Sequence, residues 1–207
     1  MTSTRSLPRA KRRSLSRSAG RPSDWGLFVR EFVKNPAMVA SIAPSSGRLI
    51  RRMLAPVDWA NTRLFVEYGP GVGTFCNAVL DRLGPDAQYI AIDPNPDFVD
   101  HLRHTIRDSR FTVVKGSAAD VVQIIAAHGH EKADYILSGL PFTTLPPGVG
   151  DQIARETAIA LRPGGAFLVY QFRPKVRTIF EPHIPKIDQA IEWWNIPPAQ
   201  LWWAWKE

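Results

Sequence analysis

Phe65-Val66-Glu67-Tyr68-Gly69-Pro70-Gly71-Val72-Gly73-Thr74, answered downstream by Ala91-Ile92-Asp93, decides the fold. The apolar run at 64–68 reads as a buried strand. Three glycines at alternate positions make a loop, a helix is expected over 74–83, and a second strand at 89–93 ends in a carboxylate. The alternation continues, with strands at 111–115, 134–138 and 166–172 and helices at 97–107, 121–128 and 151–161. Short strands separated by helices imply a parallel sheet flanked by helices, and the right-handed crossover rule leaves few topologies. The end of the chain differs. Two β-prone runs, 187–194 and 201–206, are separated by Ile196-Pro197-Pro198-Ala199, too little chain for a crossover helix, so they pair antiparallel. The expected fold is α/β and Rossmann-like: a mostly parallel sheet with an antiparallel C-terminal strand and helices on both faces.

In an open α/β sheet, ligands bind outside the carboxyl ends of the strands. Gly69, Gly71 and Gly73 lie just past the first strand, where glycine permits positive φ and a close backbone approach to a ligand. Asp93, ending the second strand, can accept both hydroxyls of a ribose. The loop reads G-x-G-x-G, with the third glycine one place earlier than in dinucleotide-binding loops. Glu67, two residues ahead of it, would repel a pyrophosphate and suits a ligand carrying an ammonium and a sulfonium. An acid followed by x-G-x-G-x-G at the start of a βα unit is the S-adenosylmethionine (SAM) motif, so the expected cofactor is SAM. After the third strand, Gly116-Ser117-Ala118-Ala119-Asp120 falls where class I methyltransferases contact adenine. Ser117 occupies the place usually held by Asp or Asn, Ala118 offers a backbone N–H, and Asp120 reads as a helix cap.

The fourth strand runs into Ser138-Gly139-Leu140-Pro141-Phe142. This segment faces the departing methyl group in the expected fold. Enzymes that methylate adenine amines carry Asn or Asp here, then Pro-Pro or Leu-Pro, then an aromatic. In this chain Leu-Pro-Phe remains and the Asn is replaced by Ser138. An amine nucleophile needs acceptors aimed at its N–H bonds and an aromatic near the growing cation, roles expected of Ser138, the Leu140 carbonyl and Phe142. Of the five histidines, His183 is the one candidate worth testing as a base; His101, His104, His128 and His130 read as surface or turn residues. No Cys/His spacing suggests a metal.

The 207 residues suit one domain with a tail, and the single cysteine, Cys76, excludes an internal disulfide framework. No apolar stretch approaches the ~20 residues that span a bilayer. Charge is concentrated at the start: residues 1–23 carry Arg5, Arg9, Lys11, Arg12, Arg13, Arg17 and Arg21 with no acid. These equal the net charge of +7, so the remainder is neutral. Three readings stay open for this leader: a solvated disordered tail, an electrostatic arm for an anionic polymer or membrane, and a targeting presequence. Residues 24–60 follow as two helices, and 61–207 form the main domain. Asp24 can cap a helix over 25–34 whose Trp25, Phe28, Val29, Phe32 and Val33 form one stripe, with Arg30, Glu31 and Lys34 off it. A second, basic helix is expected over 47–54. Five of the seven tryptophans lie at 193–205, where most should pack against the sheet and some suit a membrane interface.

The chain resembles the soluble bacterial phospholipid N-methyltransferases, which are related to rRNA adenine dimethylases. The resemblance rests on Phe32-Val33-Lys34-Asn35-Pro36 with Ser41-Ile42-Ala43-Pro44-Ser45-Ser46, on the 67–74 loop, on Ser138-Gly139-Leu140-Pro141-Phe142, and on Asn195-Ile196-Pro197-Pro198-Ala199. It covers 25–207 and leaves the basic leader outside. It implies methyl transfer from SAM to the amine of phosphatidylethanolamine, towards phosphatidylcholine, by an enzyme lying peripherally on the inner face of the cytoplasmic membrane. It implies cofactor contacts at Glu67, Gly69, Gly71, Gly73, Asp93 and Ser138, and substrate contacts at Ser41, Gly139, Pro141 and Phe142. Membrane contact falls on the 25–34 helix through Trp25, Phe28, Arg30, Phe32 and Lys34. Alternatives with the same chemistry are another amino lipid, such as ornithine lipid, or an rRNA adenine; a non-catalytic SAM-binding module is a further one. Ser117 at the adenine position and the long leader depart from the family pattern.

Overall fold

The computed structural model describes residues 47–171, 176–195 and 197–207. The expected 25–34 helix, with Trp25, Phe28, Arg30, Phe32 and Lys34, and the loop residue Ser41 lie outside them. Seven strands form one sheet in the order β3-β2-β1-β4-β5-β7-β6. β1 (Leu64–Tyr68), β2 (Gln88–Asp93), β3 (Phe111–Lys115), β4 (Ala133–Ser138) and β5 (Leu161–Gln171) are parallel. β7 (Ala199–Trp205) inserts antiparallel between β5 and β6 (Lys186–Glu192). The expected architecture is therefore present.

The central strands are buried on both faces, as a helix-covered parallel sheet requires. Phe65, Tyr89, Ala91, Leu137, Leu168 and Trp203 pack on one side with Leu49 and Met53 of α1 (Gly47–Leu54), Cys76 and Val79 of α2 (Cys76–Leu80), and Val99 and Leu102 of α3 (Pro96–Thr105). Leu64, Val66, Tyr68, Ile90, Ile136, Phe167 and Trp202 pack on the other, against α4 (Val121–Ala127), α5 (Val149–Ala160) and Phe180 of α6 (Arg177–Phe180). One-residue alternation along each strand distributes the two sets. α1 buries Leu49, Met53 and Leu54 and turns its arginines outward. It is pinned to β7 by the Trp203 indole, which donates to the Met53 carbonyl at 2.9 Å.

Three expectations are corrected. The helix over 74–83 shrinks to Cys76–Leu80, because turns occupy both flanks. β5 starts at Leu161 rather than 166: Leu161 already pairs with Ala133, and the ladder slips before Tyr135 pairs with Ala166, leaving Gly164 at positive φ in the irregular stretch. The 187–194 run ends as a strand at Glu192, so Trp193 and Trp194 belong to the turn beyond it.

Candidate active site

Neighbouring strands pair outward from β1 to β2 on one side and to β4 on the other. Chain direction through the sheet therefore diverges at β1 and β4, and ligands in such folds sit at this divergence, outside the carboxyl ends. Three glycines open the loops there. Gly69 N–H donates to the Ile92 carbonyl at 2.9 Å, Gly139 N–H to Tyr68 at 3.0 Å, and Gly116 N–H to Asp93 at 3.1 Å. Each loop thus begins by closing the ladder of the adjacent strand.

Gly69, Gly71 and Gly73 have φ of 61°, 55° and 84°, the left-handed region that other residues avoid. Their surroundings separate their duties. A methyl group on Gly73 would lie 2.7 Å from Leu102 Cδ2 and 3.3 Å from Cys76 Sγ, so this glycine lets the loop settle on α2 and α3. A methyl on Gly69 would lie 2.9 Å from Leu140 Cδ2, where the glycine loop meets the β4 loop. A methyl on Gly71 would meet nothing within 4 Å; that side is open to a ligand.

Asp93 accepts the Gly71 N–H at 3.3 Å on one oxygen and the Asn95 N–H at 2.8 Å on the other. Burial raises its carboxyl to about 6, and the two backbone donors oppose that rise. Each oxygen keeps a lone pair for a hydroxyl donor. Open space at Gly71 next to a buried, oriented carboxylate fits the ribose end of SAM.

Glu67 is placed differently from the expectation. Its side chain is buried beneath the loop, accepts from the Tyr89 hydroxyl, and lies 3.9 Å from Cys76 Sγ. Burial pushes it up to about 7, against the opposing Tyr89 hydrogen bond. The carboxylate thus lies under the loop, because odd positions of β1 point into the α2–α3 layer, with Phe65 and Tyr89.

Ser117 Oγ accepts the Ala119 N–H at 3.1 Å and caps the short 3-10 turn Ala118–Asp120. Asp120, expected to cap, makes no side-chain cap bond; Ser117 does that work three residues earlier. Ala118 is buried behind it.

In the β4 loop, Ser138 is fully buried and its Oγ accepts the Leu140 N–H at 3.2 Å. The Leu140 carbonyl, expected to orient the amine, already accepts the Phe142 N–H at 2.9 Å and the Gln171 side-chain amide. Both its lone pairs are engaged inside the protein, where they hold the loop. The Phe142 ring is buried against Phe167, with centroids 6.3 Å apart, and faces the core rather than a cation. Pro141 is half-buried, and its carbonyl accepts the N–H and hydroxyl of Thr144.

A second buried aromatic, Tyr170 near the end of β5, sets its hydroxyl beside this loop. A methyl on Gly139 would lie 2.7 Å from the Tyr170 hydroxyl and 3.1 Å from the Gly69 carbonyl. The Tyr170 ring packs on Phe75, centroids 5.1 Å apart. Tyr170 and Gln171 were missed by motif reading. The available signal was their position, at the carboxyl end of a strand expected to neighbour β4. His183 Nε2 lies 2.9 Å from Asp151 Oδ1 at the start of α5. Among the described residues no group of three His, Cys, Asp or Glu could hold a metal, and no helix is long and apolar enough to cross a membrane.

Comparisons with known proteins agree with this fold. The methyltransferase-domain family matches residues 65–165. An ornithine lipid N-methyltransferase of Singulisphaera acidiphila is 34% identical over 189 residues, covering 85% of this chain and 93% of that protein. A ribosomal RNA small subunit methyltransferase H of Cupriavidus necator is 33% identical over 72 residues, 35% of this chain and 21% of that one. Among solved structures, the Burkholderia thailandensis 1,6-didemethyltoxoflavin-N1-methyltransferase, with bound S-adenosylhomocysteine, has a TM-score of 0.66 at 13% identity, covering 90% of this chain and 91% of that chain. The precorrin-6y C5,15-methyltransferase of Geobacter metallireducens has a TM-score of 0.62 at 13% identity, covering 77% and 88%.

Proposed function

Because the chain belongs to the class I SAM-dependent methyltransferases, we propose that it methylates the amine of an amino lipid at a membrane surface, with ornithine lipid as the favoured acceptor. The observation that carries the reading is the 34% identity to an ornithine lipid N-methyltransferase across 93% of that protein. Phosphatidylethanolamine, implied by the narrower family resemblance, is the second reading and rests on the 138–142 and 195–199 segments. The likeness to the rRNA enzyme spans about a third of the chain and favours no RNA acceptor.

SAM supplies a methyl group on a positively charged sulfur that is already a good leaving group. The protein's work is then to position and desolvate. Asp93 accepts the ribose hydroxyls, Gly71 leaves room for the nucleoside, and Gly69 and Gly73 hold the loop against Leu140 and Leu102. Gly139 lets the β4 loop close onto the Tyr170 hydroxyl and the Gly69 carbonyl, where a side chain would collide with both. Gln171 fixes the Leu140 carbonyl and so the loop's course. Tyr170, whose hydroxyl lies beside the β4 loop, orients the amine. The amine attacks as the free base. Removal from water at a bilayer-facing mouth favours that neutral form.

A competition assay tests the choice of acceptor. With methyl-labelled SAM and vesicles holding ornithine lipid and phosphatidylethanolamine in equal amounts, kcat/KM is expected to favour ornithine lipid by at least tenfold. Equal rates, or a preference for phosphatidylethanolamine, would return the acceptor to the second reading.

A further inference from the structure

β6 is antiparallel to β7, and β7 is antiparallel to β5, so β6 runs in the direction of the parallel strands. Its end therefore lies at the carboxyl edge. The register confirms this: Gln200 pairs with Gln171 on one side and Ile191 on the other, and Gln171 is the residue that holds Leu140. The turn after Glu192 thus projects from the edge that carries the glycine loop and the β4 loop.

That turn exposes two adjacent indoles, Trp193 at 69% and Trp194 at 75%. Among the described residues the other large exposed apolar side chains are Val72 and Ile159. Val72 sits in the glycine loop, so it shares the same edge. Ile159 lies near the end of α5, at the opposite one. The indoles do not sit on a loose tip. Glu192, buried, accepts from Arg48 Nε at 3.2 Å, Arg52 Nη1 at 3.3 Å and the Trp194 N–H at 3.2 Å. Arg52 also donates to the Ile191 carbonyl at 2.8 Å, and the Asn195 amide donates to the Pro197 carbonyl at 2.9 Å. The Arg48 guanidinium lies 6.0 Å from the Trp194 ring centroid. α1 contributes Arg48, Arg51 and Arg52 and no acid; Glu192 pairs with Arg48 and Arg52, and one carboxylate against three guanidinium groups leaves the cluster net positive.

We propose that the Trp193–Trp194 turn, with Arg48, Arg51 and Arg52, docks the carboxyl edge of the sheet on an anionic bilayer surface. Indoles partition to the level of lipid headgroups, and arginines beside them pair with lipid phosphates. Charge sign, exposed indoles and position on the carboxyl edge agree on this one occupant. Docked in this way, the lipid amine enters the site without its acyl chains leaving the membrane. The inference rests on the amino-lipid reading for its purpose, while the surface itself can be tested apart from it.

The test uses the full chain and its W193S/W194S variant in sedimentation with phosphatidylglycerol-containing vesicles. Partition should fall at least tenfold, with affinity for S-adenosylhomocysteine within twofold as the check on folding. R51E should lower partition about threefold at low salt and less at high salt. I159S, altering an exposed apolar residue on the other edge, should change nothing. Unchanged partition for W193S/W194S would overturn the proposal, as would loss of thermal stability alone, which would mean that another part of the chain covers the indoles. Loss of RNA binding without loss of vesicle binding would overturn it too. If partition falls as expected but no amino lipid is methylated in vesicles or detergent, the docking surface stands and the acceptor reading falls.

Discussion

Asp93 and Gly71 are joined by a hydrogen bond of 3.3 Å from the loop's N–H to the carboxylate of the next strand. The middle glycine and the acid we propose to bind the ribose are therefore one unit. Replacing Asp93 by Asn removes the charge-assisted bonds to two hydroxyls, each worth about 1.5–3 kcal/mol. Calorimetry with S-adenosylhomocysteine should show affinity at least tenfold lower. The pH dependence has a definite sign. Burial raises this carboxyl from 3.8 to about 6, and hydroxyl donors favour its charged form. Affinity should hold at pH 7–8 and fall as the pH drops through about 6, and D93N should lack that fall.

The glycines separate by what lies beside them. Gly71→Ala meets only the left-handed backbone cost, about 1 kcal/mol, because nothing lies within 4 Å of the added methyl. Its methyl enters the ligand's space, so affinity for S-adenosylhomocysteine should fall more than tenfold while Tm moves by a few degrees. Gly73→Ala adds a collision with Leu102 and Cys76. Its Tm should fall further, by an added cost of about 1–3 kcal/mol. Thermal melts beside calorimetry separate the two variants.

Glu67 tests whether the motif's acid meets the ligand or supports the loop. Its carboxyl is raised from 4.5 to about 7 by burial. The folded state thus favours the protonated form: stability is full below about pH 4.5 and is lost as the pH rises towards 7. Glu67→Gln keeps a neutral partner for Tyr89 and removes that loss. Relative to wild type it should gain on the order of 2–3 kcal/mol above pH 7 by urea unfolding, with affinity for S-adenosylhomocysteine changed by less than threefold. A tenfold loss of affinity without the stability gain would restore the direct contact.

Tyr170 is the residue we propose for the role that motif reading gave to Phe142. Tyr170→Phe keeps the packing on Phe75 and removes one hydroxyl. One neutral hydrogen bond is worth about 1 kcal/mol, so methyl transfer should slow roughly five- to tenfold. S-adenosylhomocysteine affinity should stay the same. An unchanged rate would remove Tyr170 from the acceptor site.

The sheet was legible because its cues are local and agree with one another. Residues 64–68 and 89–93 are continuous apolar runs, the glycines follow at once, and the proline-bearing gap at 196–199 admits only an antiparallel return. The positions of Gly69, Gly71, Gly73 and Asp93 were legible for the same reason. Side-chain direction was not. Glu67 has the spacing of a ligand contact, yet strand alternation sends it under the loop, and Tyr89, 22 residues away, takes its carboxylate. The Leu140 carbonyl was unreadable in a stronger sense, since the residue that engages it, Gln171, lies 31 positions on and belongs to no motif. Trp193 and Trp194 read as strand continuation. Only the buried Glu192, gathering Arg48 and Arg52, shows that the ladder stops and the indoles turn outward.

The most direct measurement is chromatography of the lipids after the full chain is incubated with methyl-labelled SAM and vesicles containing ornithine lipid. Label is expected in N-methylated ornithine lipid, at least tenfold reduced for D93N at subsaturating SAM. Label in RNA with none in any lipid, or no label in any acceptor from a chain that binds S-adenosylhomocysteine, would contradict it.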